Sequence, residues 1–264
     1  MQPLKKEKVN TEFITAHKNA KTNYHFVLWY GAERTILVKH EPYQYALPTL
    51  PPARWLYLSS IGSGTEKYHE DIADYLAKNP SVKFAFQPGT FQIKLGTEKL
   101  KGLYERAEVL FVNREEAERI TSSVSLRETP PSREELKSPF QGGARRAGDV
   151  KTLLTNLHAL GPKIVCVTDG PKGAYMADER GAYFMPPYPD PKPPVERTGA
   201  GDAFAATFVS YLALGKTPLE ALHLAPINSA YVVQDIGAQR GLLSREALEQ
   251  YLASAPADYQ PRKI

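Results

Sequence analysis

Cysteine, long apolar runs and blocks of like charge are all scarce in this chain of 264 residues. A single cysteine excludes an intrachain disulfide framework. No apolar run approaches the ~20 residues of a membrane-spanning helix, and no apolar stretch follows the Lys-rich N-terminus, so we expect neither a membrane span nor a signal peptide. The net charge of +4 is not gathered into a block, and we therefore expect no nucleic-acid partner. Together these absences predict a cytoplasmic protein.

The remaining composition is that of a folded α/β protein. Hydrophobic residues make up 42% of the chain, which is enough at this length to form a core for one domain or two. We expect a single domain over residues 1–264. Cys166 lies in the apolar run at 164–167, which favours a buried strand thiol over a nucleophile.

The order of apolar segments predicts a parallel sheet with one separate hairpin. Residues 24–30 and 34–40 are rich in aromatic and β-branched side chains and flank a glycine turn, which indicates a hairpin. From residue 55 onward, short apolar runs alternate with helical periodicity, as in βαβ units whose ligands bind beyond the carboxyl ends of the strands. Strands are predicted at 55–60, 82–86, 109–112 and 163–168, with a second hairpin at 174–184, and helices at 66–78, 97–107, 113–121, 149–160 and 201–214.

Three further segments carry local signals. Residues 127–148 are rich in Pro, Gly and Arg and predict a mobile insertion. The Pro-rich segment 186–194 predicts an extended loop, because proline lacks the amide that a ladder needs. Thr217, Pro218 and Glu220 form a helix-starting pattern, and Ser244 is a candidate cap for a last helix.

The most informative segment runs from Thr198 through Gly199, Ala200 and Gly201 to Asp202. A Gly-rich turn leads there into an apolar helix, and the backbone amides of such a turn form a pocket for an anion. A carboxylate at that junction has a simpler interpretation too, since it stabilises the helix dipole by roughly 0.3–1 kcal/mol.

Two other phosphate-binding motifs do not fit these letters. A dinucleotide fingerprint needs glycine where Phe204 stands and a strand where the Pro-rich loop precedes the turn. Gly215, Lys216 and Thr217 match the end of a P-loop, but the first glycine of that motif would fall on Ser210 inside a predicted helix. An oxidoreductase on a dinucleotide fold and a P-loop enzyme are therefore disfavoured.

The segment from Thr198 to Phe204 resembles the GAGD signature of the ribokinase-like, or PfkB, carbohydrate kinases. Other motifs of that family follow in order along the chain. They are the N-x-x-E pattern from Asn113 to Glu116, the strand and turn from Val167 to Gly173, and a helix and loop at 225–238 that contain Asn228 and Gly237. Residues 20–42 resemble part of the family's β lid. The resemblance implies a three-layer α/β/α fold with a mostly parallel central sheet and a small β lid.

The resemblance also implies phosphoryl transfer from ATP to a hydroxyl of a sugar or sugar-like alcohol. Asp202 would take the hydroxyl proton, and the amides of Gly199, Ala200 and Gly201 would stabilise the transferring phosphoryl group. Magnesium would be organised through water by Asn113 and Glu116. The implied nucleotide-binding residues are Asn113, Glu116, Thr168, Gly170, Gly173, Thr198, Asn228 and Gly237.

The chain departs from the family pattern just before the GAGD motif. Many members carry an aspartate there that helps to hold a monovalent cation such as K⁺. In this chain the candidate residue for such a cation is Glu196, which is followed by Arg197. We hypothesise that Arg197 partly replaces the cation or contacts a phosphate, and an exposed loop arginine is the alternative. Gln87, Lys94 and Ser60 are candidate substrate contacts, and polar turns after strands are the alternative for all three.

The resemblance implies that an early sugar-binding portion of the family is missing before residues 5–13. Such a chain is either an N-truncated product or a shortened form with altered substrate use. Two other functions stay open: a catalytically degenerate nucleotide-binding protein and a nucleoside kinase. The aromatic hairpin at 24–40 could also pair with a second copy, which would give a homodimer through the lid.

Overall fold

A seven-stranded sheet with helices on both faces forms the body of the described chain. The computed structural model describes residues 2–30, 33–128 and 147–264. The strands are β1 (Tyr24–Tyr30), β2 (Glu33–Lys39), β3 (Trp55–Leu58), β4 (Lys83–Phe86), β5 (Val109–Asn113), β6 (Ile164–Thr168), β7 (Ala174–Asp178), β8 (Gly181–Met185) and β9 (Arg262–Lys263). The helices are α1 (Gln2–Lys6), α2 (Glu66–Lys78), α3 (Thr90–Leu95), α4 (Lys101–Arg106), α5 (Arg114–Glu128), α6 (Ala147–His158), α7 (Ala200–Ala213), α8 (Pro218–Val232) and α9 (Arg245–Ala253).

The strand order of this sheet follows the sequence, from β3 at one edge to β9 at the other. Strands β3 to β6 are parallel, and β7, β8 and β9 add to them as antiparallel strands. Because the carboxyl ends of parallel strands meet at one edge, the loops after β3, β4, β5 and β6 are gathered there. The predicted α/β fold with a mostly parallel sheet is confirmed.

Both faces of the sheet are buried, which explains why its central strands are continuously apolar. Leu110 and Val112 of β5 pack into the core beneath α2, α4, α5 and α6. Val109 and Phe111 pack into the core on the other face, beneath α7, α8 and α9. Cys166 is fully buried in that second core, and burial raises the pKa of its thiol well above the ordinary value, as expected of a structural cysteine.

The hairpin β1–β2 is a separate two-stranded sheet, paired from Tyr24 with Lys39 to Tyr30 with Glu33. Phe26 and Leu28 leave 59% and 54% of their surface exposed. The base of the hairpin contacts the body, because the His40 ring lies 5.2 Å from that of Phe91. The predicted hairpin is confirmed, whereas its pairing with a second copy stays a prediction.

Several helix starts were predicted correctly from capping residues in the sequence. The Thr217 hydroxyl accepts a hydrogen bond from the Glu220 amide at 3.3 Å, and the Glu220 carboxylate accepts from the Thr217 amide at 2.8 Å. Ser244 caps α9 in the predicted way. The helix expected at 97–107 is present as the shorter α4, whose helical residues begin at Lys101, whereas α3 was not predicted. The insertion expected at 127–148 falls mostly on residues 129–146, outside the described residues.

Candidate active site

The GAGD segment forms the start of α7, as its letters predicted. Gly199 has a φ of 84°, in the left-handed region that favours glycine. A side chain is excluded at this position for a second reason, because a Cβ there would lie 2.6 Å from the Cβ of Ala238. The first helical bond runs from the Ala203 amide to the Gly199 carbonyl at 2.8 Å. Of the amides predicted for the anion pocket, that of Ala200 donates to the Arg197 carbonyl at 3.5 Å. The amides of Gly201 and Asp202 belong to the first turn, where helix geometry leaves them available to an anion.

Asp202 is exposed in that first turn and faces two loops of the sheet edge. The Gln87 side-chain amide donates a hydrogen bond from Nε2 to Asp202 Oδ1 at 2.9 Å. The Tyr57 hydroxyl in turn donates to Gln87 Oε1. Burial raises the pKa of Tyr57, and the charge of Asp202 raises it further. The structure thus brings Gln87 to the carboxylate, and it adds Tyr57, which no sequence motif indicated.

Asn113 and Glu116 form a reciprocal cap at the start of α5. The Glu116 amide donates to Asn113 Oδ1 at 2.9 Å, and the Asn113 amide donates to Glu116 Oε2 at 2.8 Å. The pKa of the Glu116 carboxyl is raised, mainly by burial. The hydrogen bond from the Asn113 amide lowers this pKa, and the charge of Asp202 raises it. The N-x-x-E motif and the GAGD motif are thus within electrostatic range of each other.

The turn after β6 lies beside that cap. Thr168 is paired in register with Asn113, so the ends of β5 and β6 are neighbours. Gly170 and Gly173 both have positive φ, and the Asp169 amide closes the turn by donating to the Gly173 carbonyl at 2.9 Å. Arg114 ties the turn to α5, because its Nη1 donates to Asp169 Oδ2 at 3.0 Å. Neither Arg114 nor Asp169 was selected as a site residue from the sequence.

Comparison with known proteins agrees with this arrangement of motifs. The model of the pfkB family carbohydrate kinases matches residues 1–245. The chain belongs to this family. Among curated relatives of this pfkB chain, ribokinase from Bacillus subtilis (strain 168) is 35% identical over 95 residues, which span 36% of this chain and 32% of that ribokinase.

Solved structures share the fold of the pfkB family chain at low sequence identity. A ribokinase from Cryptococcus neoformans var. grubii serotype A in complex with ADP superposes with a TM-score of 0.74 at 19% identity, over 94% of this chain and 77% of that one. A nucleoside kinase from Burkholderia thailandensis in complex with inosine has a TM-score of 0.71 at 16% identity, over 98% and 78%. These likenesses establish the ribokinase-like fold.

Some residues predicted for the pfkB site have structural partners instead of open surfaces. Asn228 is 7% exposed, donates to the Thr207 hydroxyl at 2.8 Å and accepts from the Leu243 amide at 3.0 Å. It therefore joins α8 to α7 and to the segment before α9. Ser60 and Lys94 are exposed, and both stay predicted substrate contacts. The Ser60 side chain packs against Gly89, where a Cβ would lie only 1.9 Å from the Ser60 hydroxyl oxygen.

Glu196 and Gly237 are brought into direct contact. The Gly237 amide donates to Glu196 Oε2 at 3.0 Å, and Gly237 has a φ of 91°. The backbone amides of Val195 and Glu196 both donate to the Val233 carbonyl, at 2.8 and 3.2 Å. The segment before the GAGD motif is thus fastened to the end of α8 and the loop after it, while Arg197 is exposed.

The described residues suit a magnesium ion that is shared with a nucleotide better than a metal cage of protein ligands. Within residues 2–30, 33–128 and 147–264, no three His, Cys, Asp or Glu side chains are grouped to hold a metal ion. Magnesium in phosphate-transfer sites keeps several waters and takes one or two carboxylates plus substrate phosphates. Glu116 fits that role, because it is a carboxylate that the Asn113 amide holds through Oε2 at the carboxyl end of β5.

A buried histidine and glutamine support the loops beneath the site. His69 Nδ1 contacts the Thr65 carbonyl at 2.7 Å, and its Nε2 lies 3.2 Å from Gln92 Nε2. Gln92 Oε1 accepts from the Gly89 amide at 2.8 Å, which leaves its Nε2 to donate to the histidine and to the Ser59 carbonyl. His69 is therefore neutral in this network, with its proton on Nδ1.

This network predicts a loss of stability in mild acid. Burial lowers the pKa of His69 below 6.5, although the Thr65 carbonyl and Glu66 oppose the shift. The unfolded chain then binds a proton more readily than the folded one, so the free energy of unfolding falls as the pH drops through about 6.5. Denaturant titrations at neutral and mildly acidic pH should show a shallower pH dependence for His69→Gln than for the wild type. The exposed-residue control His158→Gln should keep the wild-type dependence; equal slopes for all three chains would contradict the prediction.

Proposed function

We propose that this pfkB family chain is an ATP-dependent kinase that phosphorylates a hydroxyl of a sugar or sugar-like alcohol. The observation that carries the proposal is the exposed carboxylate of Asp202 in the first turn of α7. The N-x-x-E cap and the glycine turn after β6 lie at the same end of the sheet. These motifs thus lie at the end of the sheet where α/β proteins bind ligands, which supports the proposed roles of proton acceptor, anion pocket and nucleotide site.

The reaction follows from the chemistry of these groups. The acceptor oxygen attacks the γ-phosphorus, the bond between that phosphorus and the bridging oxygen of ADP breaks, and the hydroxyl proton passes to Asp202. In this proposal the amides of the first turn of α7 would stabilise the charge that develops on the transferred group. Because these amides are fixed by the helix, they need no rearrangement during the reaction.

Magnesium would bind with the nucleotide, and Glu116 with Asn113 would orient its water ligands. The ion supplies neutralisation of phosphate charge when it is bound. Arg114 and Asp169 contribute differently, since their ion pair fixes the turn from Thr168 to Gly173 against α5. Thr168, Gly170 and Gly173 are therefore proposed as phosphate contacts on a rigid support.

The acceptor can be identified by a screen for ADP release. The chain is incubated with ATP and magnesium and with sugars, sugar phosphates and nucleosides in turn, and the rate without acceptor is subtracted. An acceptor-dependent rate with a phosphorylated product supports the proposal, and the active class separates a sugar kinase from a nucleoside kinase. ATP binding without transfer to any acceptor would instead favour a degenerate nucleotide-binding protein.

We also propose that the site works without a monovalent cation. The Glu196 carboxylate already accepts from the Gly237 amide, so a protein group holds the loop that a cation would otherwise organise. Replacing potassium chloride by tetramethylammonium chloride at equal ionic strength should leave the transfer rate unchanged. The Glu196→Gln variant keeps an acceptor oxygen for the Gly237 amide, so its transfer rate should also be independent of potassium. A rate that depends steeply on potassium would contradict this prediction.

A further inference from the structure

Three side chains from separate elements form a continuous hydrogen-bonded chain at the candidate base. Tyr57 lies near the end of β3, Gln87 follows β4, and Asp202 is on α7. The Tyr57 hydroxyl donates to Gln87 Oε1, and Gln87 Nε2 donates to Asp202 Oδ1. The Gln87 backbone is fixed as well, because its amide donates to the Leu58 carbonyl at 2.9 Å and so extends the β3–β4 pairing by one residue.

The polarity of a carboxamide makes the order of these three groups significant. A glutamine amide has one end that accepts and one that donates, and a carboxylate can only accept. The raised pKa of Tyr57 keeps its phenol protonated and able to donate at neutral pH. Because Asp202 can only accept, the amide presents its NH₂ group to Asp202, and the Tyr57 hydroxyl donates to the remaining amide oxygen. Rotation by half a turn would place the amide oxygen against a carboxylate oxygen and remove the bond from the Tyr57 hydroxyl proton.

We propose that Tyr57 and Gln87 are positioning residues for the proton acceptor of the reaction. The pair holds Oδ1 of Asp202 and leaves Oδ2 to accept the proton of the substrate hydroxyl. Gln87, which the sequence offered as a substrate contact, is assigned here to the carboxylate, and Tyr57 acts on Asp202 only through Gln87. The reaction step rests on the proposed kinase function, whereas the hydrogen-bonded chain can be tested without it.

The kinetic test removes the first donor alone. Tyr57→Phe keeps the ring and deletes the hydroxyl, so kcat should fall about tenfold through misorientation of the base, with an unchanged KM for ATP. The matched control is Tyr183→Phe on β8, five strands away in the sheet, which should retain wild-type kinetics. A kcat within twofold of the wild type, or an equal change in the KM for ATP, would overturn the proposal.

A second variant gives a pH signature that a purely structural role would not produce. Gln87→Glu places a second carboxylate beside Asp202 at neutral pH, and the two charges repel. A protonated glutamic acid, in contrast, offers the same acceptor and donor as glutamine. The activity of Gln87→Glu should therefore be low at neutral pH and recover as the pH is lowered, so its optimum lies below that of the wild type. An unchanged optimum would overturn the proposal.

Nuclear magnetic resonance of the side-chain amides tests the chain of bonds directly. In ¹⁵N-labelled protein, the two side-chain NH₂ resonances of Gln87 are assigned as the pair that disappears in the Gln87→Met variant. They should shift in both Tyr57→Phe and Asp202→Asn and stay in place in Tyr183→Phe. If no acceptor is phosphorylated in the ADP screen, these shifts still support the hydrogen-bonded chain while the kinase function fails. If the Gln87 NH₂ resonances do not shift in Tyr57→Phe, the inference is overturned, whatever the activity of that variant.

Discussion

Replacing Asp202 by asparagine is expected to lower turnover by about 10² or more while ATP still binds. The asparagine has nearly the same size and can still accept from Gln87, so the geometry around α7 is retained. It cannot take the proton of an attacking hydroxyl at neutral pH, because a carboxamide is not a base. The loss should therefore fall on kcat, measured with the acceptor found by the screen, and not on the KM for ATP.

The control for this substitution is Asp74→Asn. Asp74 is an exposed aspartate on α2, which packs on the opposite face of the sheet from α7. The Asp74→Asn variant loses the same charge as Asp202→Asn, so it reports the effect of losing one carboxylate far from the candidate site. Removing Asp202 also weakens the helix by about 0.3–1 kcal/mol through the dipole, which thermal unfolding would report separately. Near-normal turnover of Asp202→Asn would exclude Asp202 as the base.

Gly199→Ala should reduce activity nearly as much by displacing the anion pocket. The residue has a φ of 84°, and its new Cβ would meet Ala238 at 2.6 Å from the Cβ and 2.9 Å from the Cα. The Ala238 backbone or the first turn of α7 must then move. A displacement near 1 Å at the reacting groups can cost about 10² in rate. Left-handed strain adds roughly 1–2 kcal/mol of destabilisation, visible in denaturant titrations.

Gly215→Ala separates strain from displacement. Gly215 follows the other end of α7, has a φ of 86°, and has open space where a Cβ would stand. An alanine there carries the left-handed strain without the contact to Ala238, so it should lose stability and keep its activity. If Gly199→Ala matched this control in turnover, the amides at the start of α7 would have no part in phosphoryl transfer.

Much of this fold was accessible from local sequence signals. The helix α2 and the start of α8 were predicted correctly because each depends on neighbours within one or two turns. Helix α3 was not predicted, for the opposite reason. Helix α3 is only six residues long and depends on Gln92, whose buried amide contacts the Ser59 carbonyl. Strand β9 likewise depends on pairing with Tyr183 and Phe184, far away in sequence.

The site divides in the same way. Asp202 and Gly199 were found from the sequence because a glycine turn and a helix start are contiguous letters with a fixed geometry. Tyr57 was not, since its contact with Gln87, and through Gln87 with Asp202, depends on how β3, the loop after β4 and the start of α7 lie relative to one another. Arg114 is similar, because its partner Asp169 is 55 positions away. Tertiary contacts of this kind leave no periodicity or spacing in the chain.

The register between β5 and β6 links two of the proposed nucleotide-binding motifs through the backbone itself. Asn113 is paired with Thr168, and Arg114 is bonded to Asp169 one residue further on. A slip of a single residue between these strands would turn every side chain of one strand to the opposite face, and it would part both motifs at once. A one-residue insertion or deletion inside either strand should therefore disrupt both motifs together, even though neither strand lies within the GAGD segment.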